Sequence, residues 1–265
     1  MKVVLFCGGL GMRLREYSES VPKPMVPIGY RPILWHVMKY YANHGHTDFI
    51  VCLGYRADVI KDYFLSYREA MSNDFVLDGD GGVQLLGRDL RDWRITFVDT
   101  GLHSNIGTRL WKVRHLVEHD EMFLANYSDG LSDFPLPTLV DHFTASNAAA
   151  GFLAVRPTAR FHVVDVAPGG LVRGIEDLST TNLRINGGFF VMRPEVFDYM
   201  RPGEELVEEP FRRLIARGKL LAEPYDGFWT AMDTFKDKQQ LDELYAAGSP
   251  PWEVPVAPRR ELVRV

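Results

Sequence analysis

The stretch VVLFCGGLGMR, residues 3–13, decides the fold, because a short apolar run passes directly into a glycine-rich turn that closes on an arginine. Such a run is typical of a buried parallel strand. The three glycines let the backbone approach a ligand and present N–H groups to oxyanions, and Arg13 adds a positive charge. The turn predicts a phosphate site suited to a nucleoside triphosphate; a plain strand-to-helix turn is the alternative.

Two familiar phosphate motifs do not fit this turn. The dinucleotide fingerprint G-x-G-x-x-G begins at Gly9 and Gly11, but position 14 is leucine. The P-loop pattern G-x-x-x-x-G-K-[ST] occurs nowhere in the chain. If the turn binds phosphate, it does so as a loop of another kind.

Downstream of the turn, short apolar runs alternate with amphipathic stretches. Strands are predicted at Lys2–Cys7, Phe49–Leu53, Arg94–Val98 and Glu121–Ala125, and helices at Pro32–Asn43, Arg56–Tyr67 and Thr108–Val117. This alternation predicts an α/β fold with a parallel sheet and right-handed crossovers.

The second half of the chain is more mixed. Strands are predicted at Gly151–Val155, Phe161–Val166, Gly170–Ile175 and Ile185–Val191, and helices at Glu209–Ala216 and Lys236–Ala246. Because few helices separate these strands, they predict a small antiparallel extension of the sheet.

Composition excludes several classes of protein. The chain has 265 residues, of which 46% are hydrophobic and 25% charged, so it can bury a sizeable core. A net charge of -5 gives no support to nucleic-acid binding. No apolar run is long enough to predict a membrane span. Cys7 and Cys52 lie in or beside apolar runs without metal-type spacing, which favours reduced thiols in the cytoplasm.

The domain organisation is predicted to be simple. Residues 1–254 are expected to form a single domain, and residues 255–265 (PVAPRRELVRV) are expected to form a loose tail. The stretch 72–93 is turn-rich with weak periodicity, which predicts an inserted hairpin or lid. Its DGDGG sequence lacks the spaced acids and the final Glu of an EF-hand loop.

Lys23 is the first side chain predicted to do chemistry. It stands between two prolines, in VPKPM, ten residues after Arg13. Proline fixes its own φ and biases the preceding residue to an extended shape, so this lysine is held by a stiff backbone. An ammonium group so close to a glycine turn suits the neutralisation of a phosphoryl group. The alternative is a solvated loop lysine.

Two carboxylates suit a Mg²⁺ ion. Asp129 follows a predicted strand in NYSDG, and Asp233 follows an aromatic stretch in GFWTAMDT. Mg²⁺ in phosphoryl transfer is usually held by one or two carboxylates together with substrate oxygens. The sequence does not establish that Asp129 and Asp233 meet, and an Asp before Gly is also common in turns.

A competing motif would point to zinc instead. His115 to His119 match H-x-x-E-H, in which two histidines share one helix face as zinc ligands do. The motif is short, and the surrounding VRHLVEHDEM is typical of the polar end of a crossover helix.

Taken together, GGLGMR, VPKPM, YSDG, INGGFF and MDT resemble the sugar-1-phosphate nucleotidyltransferases, from about Lys2 to Trp252. The segments PILWHVMKYY, VDTG, GFW and PPWE are similar to the branch that transfers a cytidylyl group. The resemblance implies a Rossmann-like fold with a mixed, mainly parallel twisted sheet. It also implies transfer of a cytidylyl group from CTP to a hexose 1-phosphate, with glucose 1-phosphate as first choice. Mg²⁺ is the implied cofactor, and the implied assembly is a homo-oligomer.

The resemblance also implies roles for single residues. Those with an implied role in nucleotide binding are Gly8, Gly9, Gly11, Arg13, Lys23 and Arg109. By the same resemblance, Arg13 and Lys23 are catalytic, and Arg109 helps to recognise the cytosine. Sugar hydroxyls would be oriented by Tyr127, Glu176 and Asn186. The metal would be bound by Asp129 and Asp233.

The sequence departs from the family pattern on the sugar side. Relatives usually carry Glu-Lys-Pro where this chain has Glu176, Asp177 and Leu178, and that lysine meets the sugar phosphate. By Coulomb's law, a negative charge in place of a positive one at contact distance from a phosphate costs on the order of several kcal/mol at an intermediate dielectric. Either Asp177 turns away, another cation such as Arg184 substitutes, or the acceptor differs. Met12 and Ser128 are smaller departures, where Thr and Gly are usual.

Overall fold

The computed structural model describes residues 1–9, 21–90, 92–158, 161–253 and 263–264. Gly11, Met12 and Arg13 lie outside the described residues.

The strands are β1 (Lys2–Phe6), β2 (Pro27–Ile28), β3 (Arg31–Pro32), β4 (Asp48–Leu53), β5 (Phe75–Leu77), β6 (Val83–Leu85), β7 (Arg94–Asp99), β8 (Phe123–Tyr127), β9 (Gly130–Ser132), β10 (Ala150–Val155), β11 (His162–Val166), β12 (Val172–Asp177), β13 (Ile185–Asn186), β14 (Phe190–Met192), β15 (Leu220–Tyr225), β16 (Trp229–Ala231) and β17 (Val263–Arg264).

The helices are α1 (Ile33–Asn43), α2 (Ala57–Leu65), α3 (Glu69–Ser72), α4 (Ile106–Lys112), α5 (Leu136–Ala145), α6 (Glu209–Ala216) and α7 (Phe235–Ala246). Short 3₁₀ helices occur at Lys23–Met25, Arg114–Leu116, Leu178–Thr180 and Pro194–Tyr199.

The central sheet has eight strands in the order β13-β10-β14-β8-β1-β4-β7, and β15 pairs with β10 outside this path. The four strands β8, β1, β4 and β7 are parallel. β14 is antiparallel to both β8 and β10. The predicted α/β fold with a mixed, mainly parallel sheet and an antiparallel extension is confirmed.

Both faces of the sheet are covered, which explains why β1 is continuously apolar. Val3 and Leu5 pack on one face, in a core shared with helices α1 and α5. Val4 and Phe6 pack on the other face, in a core shared with helix α4 and the 3₁₀ helix Pro194–Tyr199. The sheet is thus the middle layer of three. Because β8, β1, β4 and β7 are parallel, their carboxyl ends lie together at one edge of this layer.

Two predicted elements are broken where the sequence appeared continuous. The expected strand Ile185–Val191 is split into β13 and β14, because Gly188 and Phe189 turn with φ of +77° and +52°. The expected helix Thr108–Val117 begins earlier, at Ile106, and ends at Lys112 before a 3₁₀ turn. By contrast, helix α6 has the predicted bounds.

The stretch 72–93 contains the hairpin β5–β6. β17, near the end of the chain, adds a third strand to this hairpin through pairing with β6. Asp89 holds the stretch to the body through Arg31, at 2.7 Å, and Lys39, at 3.0 Å. No helix within the described ranges combines the length and the apolar character that crossing a membrane requires.

Candidate active site

The glycine turn after β1 lies at the carboxyl edge of the parallel strands, where open α/β sheets bind their ligands. Cys7 donates its N–H to Cys52 O at 2.9 Å, so the turn is tied to the end of β4. Gly8 is buried and Gly9 is exposed. An exposed glycine amide at this edge is available to an anionic ligand.

Arg109 lies directly beneath this turn. Its side chain is buried, and its Nη2 donates to Gly8 O at 2.8 Å. Nη1 donates to Thr100 Oγ1 at 2.7 Å and to the carbonyl oxygens of Leu53 and Gly101 at 3.0 Å. Burial lowers the pKa of this guanidinium from its usual value. Arg109 therefore ties the turn to the ends of β4 and β7, while its predicted contact with a base stays a prediction.

The two predicted carboxylates are brought together by a short antiparallel pair of strands. Asp129 lies between β8 and β9, and Asp233 follows β16 by two residues. β9 pairs with β16 so that Gly130 lies opposite Ala231, and Met232 donates its N–H to Asp129 O at 2.9 Å.

The backbone at Asp233 is held by the start of helix α7. Thr234 caps this helix and forms a capping box with Asp237. Asp237 Oδ2 also accepts from the N–H of Asp233 at 3.1 Å. Both carboxylates thus stand on fixed backbone.

Lys23 lies between these carboxylates. Its Nζ donates to Asp129 Oδ2 and, at 2.7 Å, to Asp233 Oδ1. Burial lowers the pKa of Lys23, but the attraction and hydrogen bonds of Asp129 and Asp233 outweigh it, so the pKa is raised overall. The ammonium group is therefore charged. Lys23, predicted to act on phosphate, and the two carboxylates predicted to bind the metal thus lie together, although they come from separate parts of the chain.

The oxygen atoms at this position fit a small divalent cation. Asp129 Oδ2 and Asp233 Oδ1 both contact one ammonium nitrogen, so a single cation can reach both. Hard carboxylate oxygens are the ligands that Mg²⁺ prefers, and a site with two of them leaves its other positions to water and substrate phosphate. Within the described ranges no cluster of three His, Cys, Asp or Glu side chains is placed to hold a metal.

Two of the predicted sugar residues lie together. Asn186 donates its Nδ2–H to Tyr127 OH at 3.1 Å. Burial raises the pKa of Tyr127 to about 12, so this phenol is protonated. Trp229 donates its Nε1–H to Gly187 O at 2.8 Å and holds the next residue of the same loop. Tyr127 precedes Asp129 by two residues, so the pair borders the carboxylates.

Glu176 is placed differently. It is exposed on β12, opposite Val163 of β11, in a separate two-stranded sheet. Asp177 ends that strand, opposite His162. Arg184 pairs with Asp226 at 2.9 Å and donates to the carbonyl oxygens of Ala154 and Tyr225. The guanidinium of Arg184 is therefore held by Asp226 and two carbonyl groups.

Asn126 has a structural role that its place in the sequence did not reveal. Its Oδ1 accepts from Phe189 N at 2.9 Å, and a Cβ at Gly188 would come within 2.3 Å of that oxygen. Asn126 thereby holds the turn that carries Asn186. The available signal was an asparagine in a buried strand, because a buried amide needs partners.

A family model with the description "Nucleotidyl transferase" matches residues 2–237 of this chain. The match covers the glycine turn, Lys23 and both carboxylates. The chain belongs to the nucleotidyl transferase family.

Relatives within this family extend the match to almost the full length. The chain is 39% identical over 254 residues to a glucose-1-phosphate cytidylyltransferase of Salmonella typhimurium, with coverage of 96% of this chain and 99% of the relative. It is 37% identical over 257 residues to a "probable glucose-1-phosphate cytidylyltransferase" of Bacillus subtilis, covering 96% and 100%.

Solved structures support the fold alone. The structure of a UTP-bound UGPase from Acinetobacter baumannii matches with a TM-score of 0.68 at 15% identity, covering 95% of each chain. The sequence-based resemblance to a nucleotidyltransferase is confirmed by the family model and by these relatives.

The zinc interpretation of His115 and His119 gains no support in the described structure. His115 lies in a 3₁₀ turn, and Glu118 pairs with Arg114 at 2.8 Å. The segment lies in the connection between β7 and β8, within the residues that the family model matches.

Proposed function

We propose that this nucleotidyltransferase transfers a cytidylyl group from CTP to a hexose 1-phosphate, with glucose 1-phosphate as the first acceptor to test. The observation that carries the proposal is the contact of Lys23 with Asp129 and Asp233 beside the glycine turn. Near-full-length identity of 39% to a glucose-1-phosphate cytidylyltransferase supports the choice of base and sugar.

The reaction is an in-line displacement at phosphorus. An oxygen of the sugar 1-phosphate forms a bond to the α-phosphorus of CTP, the bond from that phosphorus to the bridging oxygen breaks, and pyrophosphate leaves with the electron pair. Such transfers need positioning and charge neutralisation more than covalent help.

The side chains divide this work between them. Lys23 would neutralise charge at the α-phosphoryl group, and Arg13, which lies outside the described residues, would hold the departing phosphates. The amides of Gly8, Gly9 and Gly11 would cradle the nucleotide. Tyr127 and Asn186 would orient the sugar hydroxyls, together with Glu176.

Asp129 and Asp233 would hold the Mg²⁺ ion. When bound, this ion supplies positive charge to the phosphate oxygens and fixes their orientation. The two carboxylates leave room for substrate oxygens in its coordination shell, as the Mg²⁺ of phosphoryl transfer usually requires.

Pyrophosphate release tests the proposal. The chain would be assayed with glucose 1-phosphate, Mg²⁺ and each of CTP, UTP, dTTP, GTP and ATP, with inorganic pyrophosphatase as coupling enzyme. We expect release with CTP well above the other nucleotides. Silence with all five, together with CTP binding by calorimetry, would show that the acceptor is a different sugar phosphate or that the protein only binds nucleotide.

Asp177 provides the test of the acceptor. It stands where relatives usually carry a lysine that meets the sugar phosphate, and Arg184 is held by Asp226 at 2.9 Å. If glucose 1-phosphate is a poor acceptor, Asp177→Lys should improve its use. A panel of other sugar phosphates would then identify the natural acceptor.

We propose a homo-oligomer in which the stretch 72–93 reaches a neighbouring subunit. Of the apolar residues that suggest this contact, Phe75 and Leu77 are exposed, as is Val76 between them, whereas Leu85 is buried. Monomer-sized particles in light scattering would contradict this proposal. A cytoplasmic location is proposed from the two cysteines, Cys7 and Cys52, which are both free and buried.

A further inference from the structure

Lys23 occupies the position that a metal ion would need. Its ammonium nitrogen contacts Asp129 Oδ2 and Asp233 Oδ1 together, and these are the oxygens that converge on one point. A Mg²⁺ ion binds carboxylate oxygen at about 2.0–2.1 Å, closer than any ammonium group does. A cation bridging these oxygens and the ammonium group of Lys23 therefore exclude each other.

Charge adds to this exclusion. One side of the site is screened from water: the side chains of Lys23 and Asp129 are 17% and 22% exposed, whereas that of Asp233 is 44% exposed. A dication would meet the positive charge of Lys23 at short range, where repulsion is weakly screened. With the ammonium group in place, the two carboxylates and Lys23 together carry one net negative charge, whereas the carboxylates alone carry two. The attraction for a dication is therefore smaller.

We propose that Lys23 is the resident counter-ion of the two carboxylates in the metal-free enzyme, and that the entering metal ion displaces it. The inference rests on the proposed function, since it takes Asp129 and Asp233 as the metal ligands. Lys23 keeps the like-charged carboxylates together at the right separation until the metal arrives.

The backbone permits such a displacement without rearrangement. Lys23 begins a 3₁₀ turn between Pro22 and Pro24, and Pro22 has the extended φ of -66° and ψ of 147°. The prolines hold the main chain, whereas the four-carbon stem of lysine has several rotatable bonds. The ammonium group can therefore leave the carboxylates while its Cα stays in place.

The displaced ammonium group gains a new task. Once released, it is a mobile positive charge at the edge of the cation site, where the α-phosphoryl group of the nucleotide would bind. Metal loading and the supply of Lys23 to the phosphate would thus be a single event. In the metal-free enzyme, Lys23 would stay bound to the two carboxylates and would not reach the phosphate.

The test is the affinity for Mn²⁺ alone, without nucleotide or sugar phosphate, measured by electron paramagnetic resonance of the free ion. Lys23→Met removes the competitor and leaves two carboxylates facing each other. We expect this variant to bind Mn²⁺ at least about tenfold more tightly than the natural chain, which corresponds to about 1.4 kcal/mol. Equal or weaker binding would overturn the proposal.

Two further variants make the result specific. Lys39→Met removes a lysine that pairs with Asp89 at 3.0 Å, and it should leave the affinity for Mn²⁺ unchanged. Asp129→Asn in the Lys23→Met background should abolish the tighter binding. If tight binding persists in this double variant, the ion binds elsewhere and the carboxylate site of the proposed function is wrong.

Folding provides a second readout. Without metal, Lys23→Met should unfold at a lower temperature than the natural chain, because its carboxylates repel each other. Mn²⁺ should raise the midpoint of the variant more than that of the natural chain. If Lys23→Met does not fold, Lys23→Gln keeps a hydrogen-bond donor without the charge, and the same increase in Mn²⁺ affinity is expected. An unchanged affinity in Lys23→Gln would overturn the proposal.

Discussion

Asn126 Oδ1 accepts a hydrogen bond from the backbone N–H of Phe189 at 2.9 Å, and Phe189 has the left-handed φ of +52°. Few residues other than glycine adopt this conformation, which costs on the order of 1 kcal/mol or more. The hydrogen bond to a buried side chain of β8 offsets that cost. The turn it stabilises carries Asn186 to Tyr127, so a buried amide sets the geometry of the proposed sugar pocket.

Asn126→Ala should therefore weaken the use of the sugar phosphate selectively. The variant leaves the N–H of Phe189 without its partner, at a cost of about 1–3 kcal/mol. We expect the KM for the sugar phosphate to rise about tenfold, while the KM for CTP changes little. Steady-state kinetics with each substrate varied in turn would measure this.

Leu124→Ala is the matched control for Asn126→Ala. Leu124 is a buried residue of the same strand, and its apolar side chain cannot accept a hydrogen bond from the Phe189 N–H. Its truncation should lower the unfolding temperature without a selective change in either KM. Equal increases in both KM values for Asn126→Ala would contradict the positioning role.

Gly8→Ala should disrupt the glycine turn that is proposed to bind the nucleotide. A Cβ at position 8 would lie 1.9 Å from Nη1 of Arg109. The guanidinium is fixed by hydrogen bonds and cannot move aside without losing them. A Cβ at position 9 meets no described atom within 4 Å. Gly8→Ala should lower the unfolding temperature and the affinity for CTP, whereas Gly9→Ala should leave the unfolding temperature nearly unchanged. Thermal unfolding and calorimetry with CTP distinguish the two, and equal unfolding temperatures would contradict the prediction.

Arg109→Lys separates support of the turn from recognition of the base. Lysine cannot donate from a planar fork, so several of the carbonyl groups now bound by Arg109 would lose their donors. We expect a loss of about 2–4 kcal/mol in the free energy of unfolding. Affinities for CTP and UTP should fall by the same factor. A loss confined to CTP would instead support direct contact with the cytosine.

His36 should make the protein less stable in mild acid. Burial lowers the pKa of this histidine to about 4, and the neutral ring donates from Nε2 to Ile28 O and accepts at Nδ1 from Trp252. Between pH 6.5 and 4 the unfolded chain binds a proton that the folded chain does not. The stabilisation is therefore complete above pH 6.5 and falls as pH drops, by roughly 2 kcal/mol at pH 5.

Urea unfolding at pH 7.5 and pH 5 would measure this effect of His36. His36→Gln should lose less stability between these values than the natural chain does. His103→Gln, at an exposed histidine, should keep the full loss. An unchanged loss in His36→Gln would show that other groups account for the acid sensitivity.

The sequence predicted elements well where one pattern dominated. Helix α6 has the predicted bounds, and β1 ends one residue before the prediction. The prediction was wrong at Ile185–Val191. The pair Gly187-Gly188 is a turn signal that the strand prediction passed over, and the positive φ of Phe189 also depends on a hydrogen bond to a distant strand.

The members of the candidate site could be predicted by residue type, whereas their arrangement could not. Lys23, Asp129 and Asp233 were each singled out, yet Lys23 and Asp233 are 210 residues apart in the chain and meet only in the folded structure. Arg109 was assigned to the base from resemblance, and nothing in its local sequence indicates that its guanidinium would lie buried under Gly8. Long-range pairing and burial decide these features.

The short pairing of β9 with β16 has a consequence for protein synthesis. When the ribosome has added helix α5, the nascent chain already carries Lys23 and Asp129, but the partner strand of β9 and Asp233 have not been made. A chain released early would contain the glycine turn and the four parallel strands without a complete cation site. Completion of the proposed cation site thus waits until β16 and Asp233 have been translated, so a product terminated before them would lack one of its two carboxylates.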